Sequence, residues 1–481
     1  MPSYNAPGVY IHDVVSGAQT IDQASSSIGA LIGVTRAGTL NVAQKIGSWT
    51  EFIEKFANGL DTPFMANSYL PYSVYGFFQN GGKNLYICSI KKKDAVVAEA
   101  SASTQNGITA KAKSAGVWGN DLKIELKKAE GWIDTENEIF NVIVSLGASD
   151  SVTIKEVNLD TFLKEVNANP KVQKWFSEIK IANEKGKLIE ETVTLSKGTD
   201  GSALEDSDYT DALATLDALD DVTMVAIPGQ TSKAVNDALM AYCDNNGLFP
   251  MLDMPIGSTA EQAKAYRKSI SAFTGSLSYP WGKMNDPLTN TLKTVPTCGH
   301  LMGVYARTIE SRGVHKAPAG TDAVVRGFIE METAITRSQL ETLNPIGVIC
   351  IMSKPNAGIV VWGARSLNGA DTTMRYVSDG LLNLNIKRSL YNGTQFAVFE
   401  PNDENLWSRV NTSCKAFLEM LRQNGALKGD KDEAYYVTVD GTNNTDATIN
   451  AGQLNIEIGY APVKPAEFVI IKLAHSIVSE G

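Results

Sequence analysis

The chain has 481 residues, enough for roughly three domains of about 150 residues each, and carries 53 acidic against 43 basic side chains for a formal net charge of -10. At 43% hydrophobic and 20% charged residues it falls near the average soluble globular protein, which argues against disorder and fibrous repeats. The acidic balance argues against a nucleic-acid coat or a general binder of anionic surfaces.

The opening stretch, "MPSYNAPGVYIHD", has no basic region followed by an apolar one, so it does not read as a secretory signal, and a product made in the cytoplasm is expected. Residues 1–27 read as an extended arm, since Pro2 and Pro7 block helix while Val9 to Val15 is rich in β-branched residues with no nearby strand partner. An apolar strand is predicted over Gly29 to Val34. Ser48 to Glu51 then forms a capping box for a short helix carrying Phe52, Ile53 and Phe56. A second helical stretch from Pro63 to Asn80 is expected to kink at Pro71 and to end at Gly81, before the strand "NLYICSI". The basic run Lys91 to Lys93, followed by Asp94, reads as a solvated strand end.

Residues 94–197 change character. Apolar and polar residues alternate in "DLKIELKK", "IFNVIVSLG" and "ETVTLSKG", the pattern of half-buried strands, with a short helix near Leu159 to Val166. "GTDG" at Gly198 to Gly201 reads as a turn and hinge joining two modules. From about 202 to 355 helical and apolar strand patterns alternate, including "VTMVAIP" and "LFPMLDMP", which predicts a parallel sheet covered by helices. Beyond 356 an amphipathic helix follows Asn402 and Asp403, with Leu406, Val410, Phe417, Leu418 and Leu421 on one side. Strands "AYYVTV" and "LNIEI" come next, and Phe468 to Leu473 reads as a final strand.

An α/β region invites an enzymatic reading, yet the sequence holds no G-x-x-x-x-G-K-[ST] loop, no G-x-S-x-G elbow and no H-E-x-x-H pair. The histidines at 12, 300, 315 and 475 are scattered, and His315 with Lys316 lacks an accompanying nucleophile. Asp217, Asp220 and Asp221 read as solvated polarity at a helix end rather than a metal site. Cys88, Cys243, Cys298, Cys350 and Cys414 are never spaced C-x-x-C and suggest neither a disulfide framework nor zinc, so a reducing compartment fits. The longest apolar runs fall well short of the roughly 20 residues that a membrane helix needs. No catalytic residue, cofactor or metal is therefore expected.

The motifs "PGVYIHD", "GVTRAGTLN", "SWTEFIEKF", "GFFQNGGKNLYI", "SAGVWGNDLKIEL", "LSKGTDG", "RGVHKAPAG", "GIVVWGARSL", "VFEPNDENLW" and "GQLNIEIGYAPVKPAEFVI" recur in order along nearly the whole chain. In this the sequence resembles the contractile tail sheath proteins of tailed phages and of phage-tail-like particles such as R-type bacteriocins. The resemblance implies a non-enzymatic subunit of stacked hexameric rings around an inner tube, which contract to drive that tube through a target envelope. It implies partners in further copies of the chain, the inner tube protein, and baseplate and tail terminator proteins, but neither nucleic acid nor an inserted membrane segment. Its implied location is a virion tail or tail-like particle, assembled in the bacterial cytoplasm. The expected fold is a multidomain α/β chain. Its expected divisions are an arm (1–27), an N-terminal domain packing with the C-terminal one near the tube (28–93), a β-sandwich-like insertion (94–197), a central α/β domain (198–355), a C-terminal domain (356–464) and a terminal strand arm (465–481).

A strand without a local partner can satisfy its backbone by pairing with another molecule. Val9, Tyr10, Ile11, Val14 and Val15, and Phe468, Val469, Ile470, Ile471 and Leu473, are accordingly expected to add strands to a neighbouring copy. The expected acceptor is the sheet carrying Tyr435, Val437, Val439, Leu454, Ile456 and Ile458. Arg409, Lys415 and Arg422 on the amphipathic helix are expected to be exposed and available to an oppositely charged tube. The competing readings are another self-assembling shell or surface-layer protein and, behind it, an α/β hydrolase.

Overall fold

The computed structural model describes residues 19–58, 63–100, 104–129, 139–148, 150–182, 186–468 and 470. Contacts divide the chain into two units: Ser25–Arg312 with Ala317–Leu381, and Met1–Ala24 with Gly313–Lys316 and Leu382–Gly481.

The larger unit is organised by an eight-stranded sheet in the order Gly358–Val361, Val348–Lys354, Ser276–Tyr279, Phe249–Asp253, Met224–Ala226, Gly29–Gly33, Leu85–Ser89, Ala43–Ile46. The six inner strands run parallel, and the two outermost are antiparallel to their neighbours. This is the mixed α/β architecture anticipated from the alternating pattern. Gly29–Gly33, Met224–Ala226 and Phe249–Asp253 are buried at every position, as strands covered on both faces must be, which is why they are apolar without alternation except at the terminal Asp253. Strands of 28–93 and of 198–355 therefore lie in one sheet, as does Gly358–Val361. Pairing between residues some 190 positions apart leaves no local mark in the sequence.

Helix Trp49–Phe56 starts at Ser48, whose side chain accepts the Glu51 amide; the Glu51 carboxylate takes the Gly47 N–H at 2.7 Å instead of closing the box on Ser48. Pro71 does not kink a helix. It stands in the first turn of Leu70–Gln79, where a missing N–H costs nothing and a fixed φ suits helix, so residues 63–69 precede the helix. The helix lies against Cys298–Arg312, with edge-on aromatic packing of Tyr69 on Trp281 beside it.

Within residues 94–197, Glu191–Thr194, Leu122–Lys128, Phe140–Leu146 and Asp150–Val157 form an antiparallel sheet, and Glu99–Ala100, Ile108–Ala112 and Phe176–Ile181 a second. Leu122, Ile124, Leu126, Phe140, Val142, Val144 and Leu146 alternate inward onto a core shared with Trp118, Phe162 and Trp175. The expected helix near 159–166 appears as Phe162–Ala168, followed directly by Pro170–Trp175.

The smaller unit is built on helix Glu404–Gln423, capped by the Asp403 carboxylate on the Leu406 amide at 2.9 Å. Leu406, Val410, Phe417, Leu418 and Leu421 form its buried stripe, as their spacing predicts. A two-stranded antiparallel sheet, Tyr435–Thr438 with Glu457–Tyr460, sets Val437 opposite Ile458.

Candidate assembly surfaces

The potential chemistry of the sheet end converges on Asp253, fully buried at the C-terminal end of its strand. It accepts the Cys298 amide at 2.9 Å, the Gly229 amide at 3.1 Å and the Ser278 hydroxyl at 3.3 Å. Burial raises its pKa and pushes the adjacent Cys298 thiol well above its usual value, which disfavours the thiolate that a nucleophile requires. The carboxylate instead anchors the first turn of helix Cys298–Arg312. His300 is buried against Phe328, ring centroids 4.0 Å apart, and neither ring nitrogen has a hydrogen-bond partner among the described residues. Burial drives its pKa down to about 3. His315 is half-buried with its ring against Gly313. Asp221 is held by Lys45 at 2.6 Å and Asp217 by the Tyr242 hydroxyl at 2.8 Å, so the acidic run is directed to different partners.

The smaller unit carries the residues of the expected acceptor sheet. Tyr435, Val437 and Val439 are buried. Each strand of the two-stranded sheet has one partner strand among the described residues, although the Val437 carbonyl also accepts the Asn411 amide at 3.2 Å. Ile458 lies in the second strand, whereas Leu454 and Ile456 precede it and are half-buried; the ladder starts at Glu457, later than the alternation suggested. Past the strand, Phe468 and Ile470 are 72% and 82% exposed. Val9, Tyr10, Ile11, Val14, Val15, Val469, Ile471 and Leu473 lie outside the described residues.

Two of the three expected tube-facing cations are occupied. Arg409 meets Glu400 at 3.4 Å and lies over the Phe396 ring, and Arg422 forks onto Glu419 at 2.8 and 2.9 Å. The Arg422 hydrogen bonds hold the Glu419 carboxyl down to about 2. Lys415 alone of the three is exposed without an ion pair among the described residues.

The basic run at 91–93 also differs from its reading as a solvated strand end. The Lys91 side chain is fully buried, donating to Asp200 at 2.6 Å, the Ala115 carbonyl at 2.9 Å and the Arg36 carbonyl at 3.2 Å. Burial lowers its pKa, against the pull of Asp200. Lys92 reaches Asp208 at 2.9 Å and Glu205 at 3.3 Å.

These features define a mixed α/β scaffold with an inserted β module and a small sheet that is two-stranded among the described residues. Residues 203–367 match the phage tail sheath protein central domain and residues 380–474 the phage tail sheath C-terminal domain, together more than half of the chain. The chain belongs to the phage tail sheath protein family. It is 23% identical over 281 residues to the tail sheath protein of Escherichia phage P2, covering 56% of this chain and 69% of that protein. It is 22% identical over 204 residues to that of Vibrio phage KVP40, where the match takes in 42% of this chain but 29% of the relative. The helical sheath of the anti-feeding prophage in its contracted state superposes with a TM-score of 0.63 at 22% identity, covering 98% of this chain and all 100% of that one. The sheath tail protein of Desulfitobacterium hafniense gives 0.64 at 15% identity, with 90% and 94% covered.

Proposed function

We propose that this chain is a structural subunit of a contractile sheath, stacking as hexameric rings around an inner tube and shortening to drive that tube through a target envelope. Membership of the sheath family supports the reading, and so does the fold shared with sheaths solved in the contracted state. The observation that carries the linkage is the small sheet, whose two strands each have one partner strand among the described residues, in the unit that also holds the exposed Phe468 and Ile470. Donated strands from Val9 to Val15 and from Phe468 to Leu473 of neighbouring copies complete it. Each donated strand adds several backbone hydrogen bonds of about 1 kcal/mol net apiece, plus buried apolar side chains. Links of this kind persist while outer domains change neighbours, and the driving energy resides in the lattice rather than in nucleotide hydrolysis.

In this reading the segments 28–93 and 356–464 lie nearest the inner tube, the middle modules at 94–355 face outward, and Lys415 is the cation available to the tube. The terminal partners are baseplate and tail terminator proteins, in a virion tail or tail-like particle assembled in the bacterial cytoplasm. Electron microscopy of the expressed chain with and without residues 1–20 tests the reading. Tubes from the full chain and only soluble subunits after truncation are expected; tubes from the truncated chain would remove strand donation by the N-terminal arm.

A further inference from the structure

The inserted module joins the large sheet through two chain crossings, 90–96 and 197–202, and both converge on one buried polar group. Lys91 lies just past strand Leu85–Ser89, Ala115 belongs to the module, and Asp200 lies on the returning crossing; Lys91 Nζ binds both and also the carbonyl of Arg36. The crossings are also bonded to each other. Val96 and Thr199 exchange backbone hydrogen bonds at 3.1 and 3.0 Å, and the Asp94 carboxylate takes the Ser202 amide at 3.0 Å. Asn120 clamps Gly198 through both its N–H, at 2.7 Å, and its carbonyl, at 2.9 Å. Gly116 leaves no space at this point, since a Cβ there would stand 2.6 Å from Lys91 Nζ and 3.0 Å from Asp200.

We propose that Lys91 and Asp200 form a latch that fixes the orientation of the 94–197 module on the sheet, so that module and sheet move as one body. An ion pair with a fully buried cation is weak support for stability, because desolvating the ammonium offsets much of its attraction to the partly exposed Asp200. Its value is directional: the ammonium finds three acceptors from three segments in one relative placement only, and any tilt of the module strands a buried charge. The turn at 198–201 is therefore a fastening rather than a hinge. If the chain works as a contractile sheath, which is the reading this consequence rests on, the module's outward face is carried rigidly and the rearrangement of contraction falls elsewhere.

The latch is tested on the soluble full-length chain, independently of assembly. Nitroxide labels at exposed Ser151 in the module and exposed Lys268 on the sheet side report their separation, the five native cysteines being buried. A narrow distance distribution is expected for the parent and for the control K93M at the exposed neighbouring lysine, and a broad one for the double variant K91M/D200N. Proteolytic cleavage within 197–202 should quicken roughly tenfold in the double variant, the effect of about 1.4 kcal/mol on an opening equilibrium. Equally narrow distributions in all three proteins, or equal broadening by K93M, overturn the latch. Hydrogen exchange in the parent gives a reading that needs no variant: the Val96 and Thr199 amides should exchange as slowly as those of Met224–Ala226. Exchange there at loop rates overturns the proposal even if the double variant does not fold.

Discussion

His300 shows how one buried side chain sets the acid response of the larger unit. Its ring is neutral in the folded chain because burial lowers the pKa to about 3, while an exposed imidazole titrates at 6.5. Between those values the unfolded chain binds a proton that the folded chain refuses, so stability falls as pH drops through this window. The slope contributed is at most about 1.4 kcal/mol per pH unit. His300→Phe should flatten the dependence of the unfolding free energy on pH by close to one proton between about pH 6 and 4. The reading is the slope rather than the absolute stability, since the larger ring disturbs packing; parallel slopes would refute a buried neutral imidazole. Glu419 acts in the same direction at lower pH. Its folded pKa is held near 2 by Arg422, so its support is present above the ordinary carboxyl range and is lost as pH falls toward 2. Glu419→Gln removes that part of the acid dependence, visible as a smaller loss of thermal midpoint between about pH 5 and 2. Neither environment was legible in the sequence. The counterion of Lys91 lies 109 residues away, and a run of three lysines reads as solvated until that distance is closed.

At the scale of elements, the contact between Leu70–Gln79 and Cys298–Arg312 depends on absent side chains. A Cβ at Gly303 would stand 2.4 Å from the Phe77 carbonyl oxygen, and one at Gly299 would stand 2.5 Å from Ser73. The helices therefore touch backbone to backbone, and a methyl group must force them apart. Gly303→Ala should cost about 1–3 kcal/mol in urea unfolding, whereas Gly441→Ala, facing open space, should stay within about 0.5 kcal/mol. In the smaller unit, Leu418 is fully buried on the amphipathic stripe, and Leu418→Ala should cost about 2–5 kcal/mol. Lys415→Ala on the same helix should leave the melting temperature unmoved, so a loss of tube binding in that variant could not be ascribed to unfolding. The start and buried face of helix Glu404–Gln423 were legible because cap and stripe are both local. Pro71 was legible as a perturbation but not in kind, since the same ring starts one helix and breaks another. The strand order of the large sheet stayed hidden because it depends on pairings that join residues of the first hundred to those beyond 220.

At the scale of the whole molecule, a polymer joined by donated strands has a property that one joined by flat surface contacts lacks: its links are peptides. A soluble peptide of residues 1–20 or 464–481 carries the same backbone donors and acceptors as the arm it copies and should occupy acceptor sheets at growing ends. Excess peptide should shorten the tubes seen by electron microscopy in proportion to its concentration. A peptide with proline at Ile11 or Ile470 should not, because it loses a ladder N–H and cannot lie flat against an edge. The two arms give separable answers, since each peptide competes with one proposed class of link, and excess of the N-terminal peptide should reproduce the soluble subunits expected of the chain that lacks residues 1–20. Unchanged tube lengths with either peptide in excess, combined with failure of the truncated chain to assemble, would mean that the arms are needed for something other than completing a neighbour's sheet.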